Sequence, residues 1–308
     1  MSLAPIVLFV YNRPRHTEQT LNALAENYLA DQSTLFIYAD GPKNDASAEA
    51  LKEIKETREV IRQKKWCKEI FIIESSTNKG LANSVIAGVT EIVNRYEKII
   101  VLEDDLVCHR SFLTYMNRYL DIYSVCESVI SIHGFMYPTN KKINSPFFIK
   151  GADCWGWATW KRGWDLFEPD GQKLMDNLVQ KGLTREFNFN DSYHFSGLLQ
   201  SQIEGKIDSW AIRWYAAAFL QNKLTLYPPL SLIQNIGFDG SGTHKDNNIK
   251  LTPIRFHFED FEYKEIDIVE SKRNKKLIED HFRGDKNLFK SIKSKLKSFL
   301  LFQKQTQI

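Results

Sequence analysis

The sequence predicts an α/β protein built on a mainly parallel sheet, and three features carry that expectation. Apolar, β-branched runs of strand length, at Ile6 to Tyr11, Leu35 to Ala39, Glu69 to Glu74 and Lys98 to Leu102, alternate with helical patterns. Ile99 to Leu102 is apolar at every position, which suits a strand buried on both faces. Polar, acidic or turn-forming residues then follow the strands: Asn12-Arg13-Pro14, Asp40-Gly41-Pro42 and Glu103-Asp104-Asp105. The C-terminal ends of the strands are where the binding crevice of an open parallel sheet lies.

Between the strands, the helical patterns run through Thr17, Leu21, Leu24 and Tyr28, over Ala46 to Lys65, and over Leu81 to Tyr96. Ser111 to Tyr123 reads as a fourth helix and Val129 to His133 as a short strand. The composition shifts near residue 108. Six of the seven tryptophans, Trp155, Trp157, Trp160, Trp164, Trp210 and Trp214, follow within a stretch of 60 residues, divided between core packing and flat faces that could cover sugar rings. The expected organisation is a first half over 1–107, a second over 108–283 and a basic amphipathic tail over 284–308.

Composition excludes several classes. Hydrophobic residues make up 43% and charged residues 26% of 308, ordinary for a soluble globular protein, and a net charge of +3 does not mark a nucleic-acid binder. Cys67, Cys108, Cys126 and Cys154 show neither a CxxC pair nor zinc-ligand spacing. No apolar stretch approaches the roughly 20 residues of a spanning helix, and no cleavable leader is visible, so a cytoplasmic location is expected. In the tail, Phe289, Ile292, Leu296, Phe299 and Leu300 recur at helical spacing among lysines. That pattern suits peripheral contact with an anionic membrane, or packing against protein.

The acidic triplet is the chemical centre of the sequence. Adjacent carboxylates at a strand end repel unless a cation or a ligand's hydroxyl groups share them; the alternative is a solvated turn. A P-loop is absent, since Tyr11-Asn12-Arg13-Pro14 follows the first strand. The glycine cluster Gly237 to Gly242 lies late and opens no obvious helix.

Four motifs in order, Tyr11-Asn12-Arg13-Pro14, Tyr38-Ala39-Asp40-Gly41, Asn78-Lys79-Gly80-Leu81-Ala82-Asn83 and Val101-Leu102-Glu103-Asp104-Asp105, resemble the nucleotide-sugar half of GT-A-fold glycosyltransferases. The set is similar to bacterial family 2-like sugar transferases and, more distantly, to the Golgi N-acetylglucosaminyltransferase that begins complex N-glycans. The resemblance implies an inverting, metal-dependent transfer from a nucleoside diphosphate sugar, with UDP the expected nucleoside. It implies a glycan or lipid-linked acceptor and a role in surface-polysaccharide assembly.

Residue roles follow from the same resemblance. Asp105 would bind Mn²⁺ or Mg²⁺, with His244 as a further metal or phosphate contact. Asp104 would lie near the ribose and Glu103 near the donor sugar, while Arg13, Asp40, Asn78, Lys79 and Asn83 would line the nucleotide site. Asp208 would be the general base, with Asp153 the other candidate, because Ser209 stands where the Golgi enzyme has its second aspartate. A helix N-cap is the competing reading of Asp208, and a surface ion pair that of Arg13. The rival activities are sugar nucleotidyl transfer and carbohydrate binding without catalysis.

Overall fold

The computed structural model describes residues 2–239 and 261–284. His244, Gly240, Gly242 and the tail from Asp285 onward lie outside them. The first half alternates as expected: β1 (Ile6–Val10), α1 (Pro14–Ala25), a 3-10 turn (Ala30–Gln32), β2 (Thr34–Ala39), α2 (Ala48–Val60), β3 (Glu69–Glu74), α3 (Leu81–Tyr96) and β4 (Lys98–Glu103). Next come β5 (Leu106–Cys108), α4 (Phe112–Ile122), β6 (Val129–His133), β7 (Phe147–Lys150) and β8 (Trp157–Trp160). The helices α5 (Lys161–Trp164), α6 (Gly171–Gln180), α7 (Thr184–Phe187), α8 (Phe195–Ile203) and α9 (Trp210–Leu220) lead to β9 (Leu224–Tyr227) and β10 (Ile233–Asn235). A last helix, α10, covers 272–284.

Eight strands form one sheet in the order β3-β2-β1-β4-β8-β6-β9-β7. The first four are mutually parallel, β8 is antiparallel to both β4 and β6, β9 is parallel to β6, and β7 is antiparallel to β9. The sheet is therefore mainly parallel. β5 and β10 pair separately as an antiparallel ribbon that begins directly after the acidic triplet, Leu106 lying opposite Asn235.

The all-apolar strands have a two-sided environment. Ile6, Leu8, Val10, Ile100 and Leu102 pack with α1 and α4 residues such as Leu21, Leu24, Phe112 and Met116 on one face. Val7, Phe9, Ile99 and Val101 pack with Val85 and Val89 of α3 and Trp214 of α9 on the other. Alternation along β1 and β4 thus divides one core from another instead of core from solvent, so no polar positions interrupt the runs.

Two boundaries are shorter than the periodicity suggests. α1 ends at Ala25, leaving Tyr28 beyond it and 48% exposed. α2 starts after Ser47, whose Oγ accepts the Ala50 N–H at 3.2 Å, and it ends by Ile61, whose carbonyl accepts the Trp66 indole N–H at 3.0 Å. The tryptophans differ more. Trp157, Trp160, Trp164, Trp210 and Trp214 are all buried, and only Trp155 of the six is half-buried. Trp157 stacks on Trp210 at 5.4 Å between centroids and meets Trp214 at 6.0 Å, so these rings are core. The buried tryptophans lie on β8 (Trp157–Trp160), which is buried at every position, and on α5 and α9.

Trp157→Ala should therefore cost about 3–5 kcal/mol, the range for truncating a large core aromatic. Urea denaturation measures it; a change below about 1 kcal/mol would show that the stack is not part of the core.

Candidate active site

Every candidate residue within the described chain stands at the edge where the parallel strands end. β4 delivers Glu103, Asp104 and Asp105 there, β1 delivers Asn12 and Arg13, and β2 delivers Asp40. β6 ends in His133 and β9 in Tyr227 at the same edge, while antiparallel β8 starts there and brings Asp153 to Gly156 just before it.

Arg13 is the counter-charge of the triplet. Its Nη1 lies 2.9 Å from Asp105 Oδ2 and 3.7 Å from Asp104 Oδ1. Its Nη2 donates to the Gly237 carbonyl at 3.3 Å and lies 3.8 Å from Asp239 Oδ1. His16 Nε2 meets Asp239 Oδ2 at 3.1 Å, so the segment after β10 is tied to α1 across the acidic turn. Gly237 cannot be replaced simply: a Cβ there would stand 2.0 Å from Asp105 Oδ2. The same segment accepts and gives backbone order, with Ile236 N–H donating to the Asp105 carbonyl at 2.9 Å. Asp239 and His16 were not singled out in the sequence; only their return contact reveals them.

One guanidinium does not balance three carboxyls. Burial, and then the charges of Asp105 and Asp104, push Glu103 up to about 8 from an ordinary 4.5. Burial and Asp105 also raise Asp104, against the opposing pull of Arg13 and of a backbone hydrogen bond from Tyr11. Among the described residues the cluster is therefore short of positive charge. Among the described residues no three carboxylate, imidazole or thiol groups converge as a complete metal cage. That composition fits a hard cation held by one or two carboxylates and completed by a ligand's phosphate oxygens, which is how Mg²⁺ is usually bound.

Asp40 is a backbone clasp. Its Oδ1 accepts the Gly41 and Lys79 N–H groups at 2.8 and 2.9 Å, and its Oδ2 accepts those of Lys79 and Gly80 at 3.1 Å each. The Asn78 side chain donates to the Gly41 carbonyl at 2.9 Å, closing the loop onto the end of β2. Lys79 and Asn83 are exposed, Asn83 donating to the Lys79 carbonyl at 3.0 Å. Gly80 stands before α3 with φ of +79°, where glycine is favoured, and offers no capping side chain. Asp208 supplies one from α9's approach: its Oδ2 accepts the Ala82 N–H at 3.2 Å. Asp208 is therefore not the cap of the helix that follows it, since Ser209 caps α9 by accepting the Ile212 N–H at 3.3 Å; Asp208 caps the distant α3 instead.

Asp153 belongs to a second polar group. Its Oδ2 accepts the Tyr137 and Tyr227 hydroxyls at 3.0 and 3.1 Å, and its Oδ1 accepts the Cys154 N–H at 2.8 Å. Burial first, then Asp153, raises both phenols well above their ordinary range, so they stay neutral donors. His133 is fully buried, its pKa is lowered by burial, and its Nε2 accepts the Trp155 N–H at 3.3 Å, which leaves the proton on Nδ1. The Cys154 thiol is raised by burial and then by the charges of Asp153, Glu103 and Asp105. Tyr137, Tyr227 and His133 lie 16, 74 and 20 residues from Asp153, and no local motif marks them.

Residues 6–167, more than half of the chain, match the family described as glycosyl transferase family 2. Among solved structures, the chain is similar to S. aureus TarS 1-349 at 10% identity, covering 54% of this chain and 48% of that one, with a TM-score of 0.35. A mannosyltransferase, PcManGT from Pyrobaculum calidifontis, in complex with GDP-Man and Mn²⁺, is similar at 10% identity over 71% and 68% of the two chains, with a TM-score of 0.38. Glucosyl-3-phosphoglycerate synthase from Mycobacterium tuberculosis, with Mn²⁺ and UDP, is similar at 11% identity over 59% and 67%, with a TM-score of 0.33. The chain spans about half or less of the TarS structures it matches. A search of curated protein sequences finds no match.

The raised Glu103 fixes the sign of a pH effect. Between its ordinary 4.5 and about 8 the folded chain holds a proton that the unfolded chain has lost, so its contribution is present below 4.5 and disappears as pH rises to about 8. Without divalent cation, melting temperature should fall across that window, and Glu103→Gln should flatten the fall. A variant with the wild-type pH profile would show that Glu103 does not carry it.

Proposed function

The chain belongs to glycosyl transferase family 2, and on that premise we propose that it moves a sugar from a nucleoside diphosphate, UDP as the nucleoside, to a hydroxyl of a glycan or lipid-linked acceptor, inverting the anomeric carbon. The observation that carries the reading is the run of three carboxyls at the C-terminal end of β4, which meets a single guanidinium, that of Arg13, among the described residues. Mn²⁺ or Mg²⁺ bound there would neutralise the leaving diphosphate. Asp105 would hold it, with Asp104 beside it; His244, the further contact that the resemblance implies, lies outside the described residues.

The chain's own groups do the rest. Arg13 exchanges part of its contact with Asp105 for the donor's phosphates, which a guanidinium recognises well. Asp40 holds the Gly41 and Lys79-Gly80 backbone against the base and ribose, with Asn78, Lys79 and Asn83 beside it. Glu103 and Asp104 accept from hydroxyls of the donor sugar and ribose. The first half thus serves the donor and the second half the acceptor.

Asp208 has one backbone donor at 3.2 Å and is otherwise exposed, so it keeps lone pairs for a proton. Asp153 has three donors already and suits orientation better than proton transfer. In the reaction the Asp208 carboxylate takes the acceptor hydroxyl's proton as that oxygen bonds to the anomeric carbon. The bond to the diphosphate breaks on the opposite side, and its electron pair leaves with the phosphate oxygen.

A thermal-shift panel of nucleotide sugars with and without Mn²⁺, followed by UDP release, tests the function; stabilisation by no nucleotide sugar would overturn it. Asp208→Asn should lower kcat by roughly 10²-fold or more while leaving the donor KM nearly unchanged. Asp153→Asn should chiefly raise the acceptor KM. If the two variants show the opposite pattern, the base is Asp153.

A further inference from the structure

The aromatic rings that reach solvent at the site are not the tryptophans of the core. Trp155, Phe238, Tyr137 and His281 are half-buried, and Tyr193 is 39% exposed. They are joined through two buried rings. Phe135 meets Trp155 at 4.7 Å and Tyr137 at 5.2 Å, both edge to face, and Phe282 of α10 meets Tyr137 at 4.9 Å and Tyr193 at 5.0 Å. Phe238 continues the row from Trp155 at 5.6 Å, one residue beyond the Gly237 that touches Asp105. The row therefore runs from beside the acidic turn to Tyr193, just ahead of α8.

A carboxylate and polar tips accompany it. Tyr137 carries its hydroxyl to Asp153, which is 19% exposed and whose Oδ1 has one backbone donor and a remaining lone pair. An aliphatic chain would gain nothing from these groups. A pyranose presents an apolar C–H face to a ring and hydroxyls around its rim to a carboxylate and phenols. One sugar covers about one aromatic ring, whereas Trp155 and Tyr193 are separated by Phe135, Tyr137 and Phe282.

We propose that Trp155, Tyr137 and Tyr193 form an acceptor track for a saccharide chain of at least two sugar residues, with the residue to be extended beside Asp153. The assignment rests on the transferase reading above and adds to it the acceptor's chemical class: an oligosaccharide, not a monosaccharide or a small alcohol.

The full chain would be tested on an array of defined glycans of one to eight residues, followed by fluorescence titration with the glycans retained. Trp155 is the natural reporter, since the other six tryptophans are at most 6% exposed. Glycans of two or more residues should bind at least about tenfold more tightly than their terminal monosaccharide, with an emission change that Trp155→Phe removes. Tyr193→Ala should lose about tenfold for the longer glycans while keeping the wild-type thermal shift with UDP and Mn²⁺. Retention of no glycan, equal affinity for one residue and several, or an unchanged Tyr193→Ala variant would overturn the track. If donor stabilisation is present in that case, the transferase reading stands and the track alone fails; if it is absent, the transferase reading fails as well.

Discussion

Three consecutive carboxyls at the end of a strand buried on both faces set the terms for the rest of this molecule. β4 lies between two cores, so its exit cannot place Glu103, Asp104 and Asp105 in bulk water without giving up apolar burial. Repulsion and desolvation act together, and Glu103 rises to about 8. The fold answers with one guanidinium from the β1–α1 turn and with backbone from the far end of the chain, Gly237 lying close to Asp105 because it has no side chain. Among the described residues the compensation is partial, and under the proposed function a cation would complete it.

The surrounding parts follow from where that charge sits. α3 approaches the edge without a capping side chain of its own, and Asp40 and Asp208 satisfy its first N–H groups. The donor-side loop and the start of α9 are thereby fixed to each other by the carboxylate to which we assign the proton. Ser209 caps α9, so Asp208 is not needed for its own helix. On the other side, Asp153 is held by two neutral phenols whose strands come from β6's outflow and β9. Carboxylates with different environments thus stand along one sheet edge, which favours a division of roles between orientation and proton transfer.

The sheet was legible because its strands announce burial through composition: Ile99 to Leu102 leaves no polar position, and the acidic stop follows at once. The helix patterns between them placed α3 over Leu81–Tyr96 as observed. Boundaries failed where one side chain bends the chain back, as Trp66 does onto Ile61. The grouping of polar residues at the sheet edge was legible where they are adjacent, in the triplet, and illegible where distance in sequence is large. Asp239 returns to His16, Tyr227 to Asp153, and Asp208 to Ala82, each a contact that no local pattern encodes. The tryptophan cluster misled for a related reason: composition cannot say which rings face a core, and α9 is apolar around most of its surface because it packs against two.

The central claim is that the acidic triplet is a shared cation and diphosphate site, not an ion-pair cluster that Arg13 closes by itself. Titration of Mn²⁺ followed by electron paramagnetic resonance, with and without saturating UDP, in wild type and Asp105→Asn, tests it most directly. The claim predicts that UDP tightens Mn²⁺ binding by about tenfold or more in wild type and that this coupling vanishes in the variant. Equal Mn²⁺ affinity with and without UDP in wild type, or coupling that survives in Asp105→Asn, would contradict it.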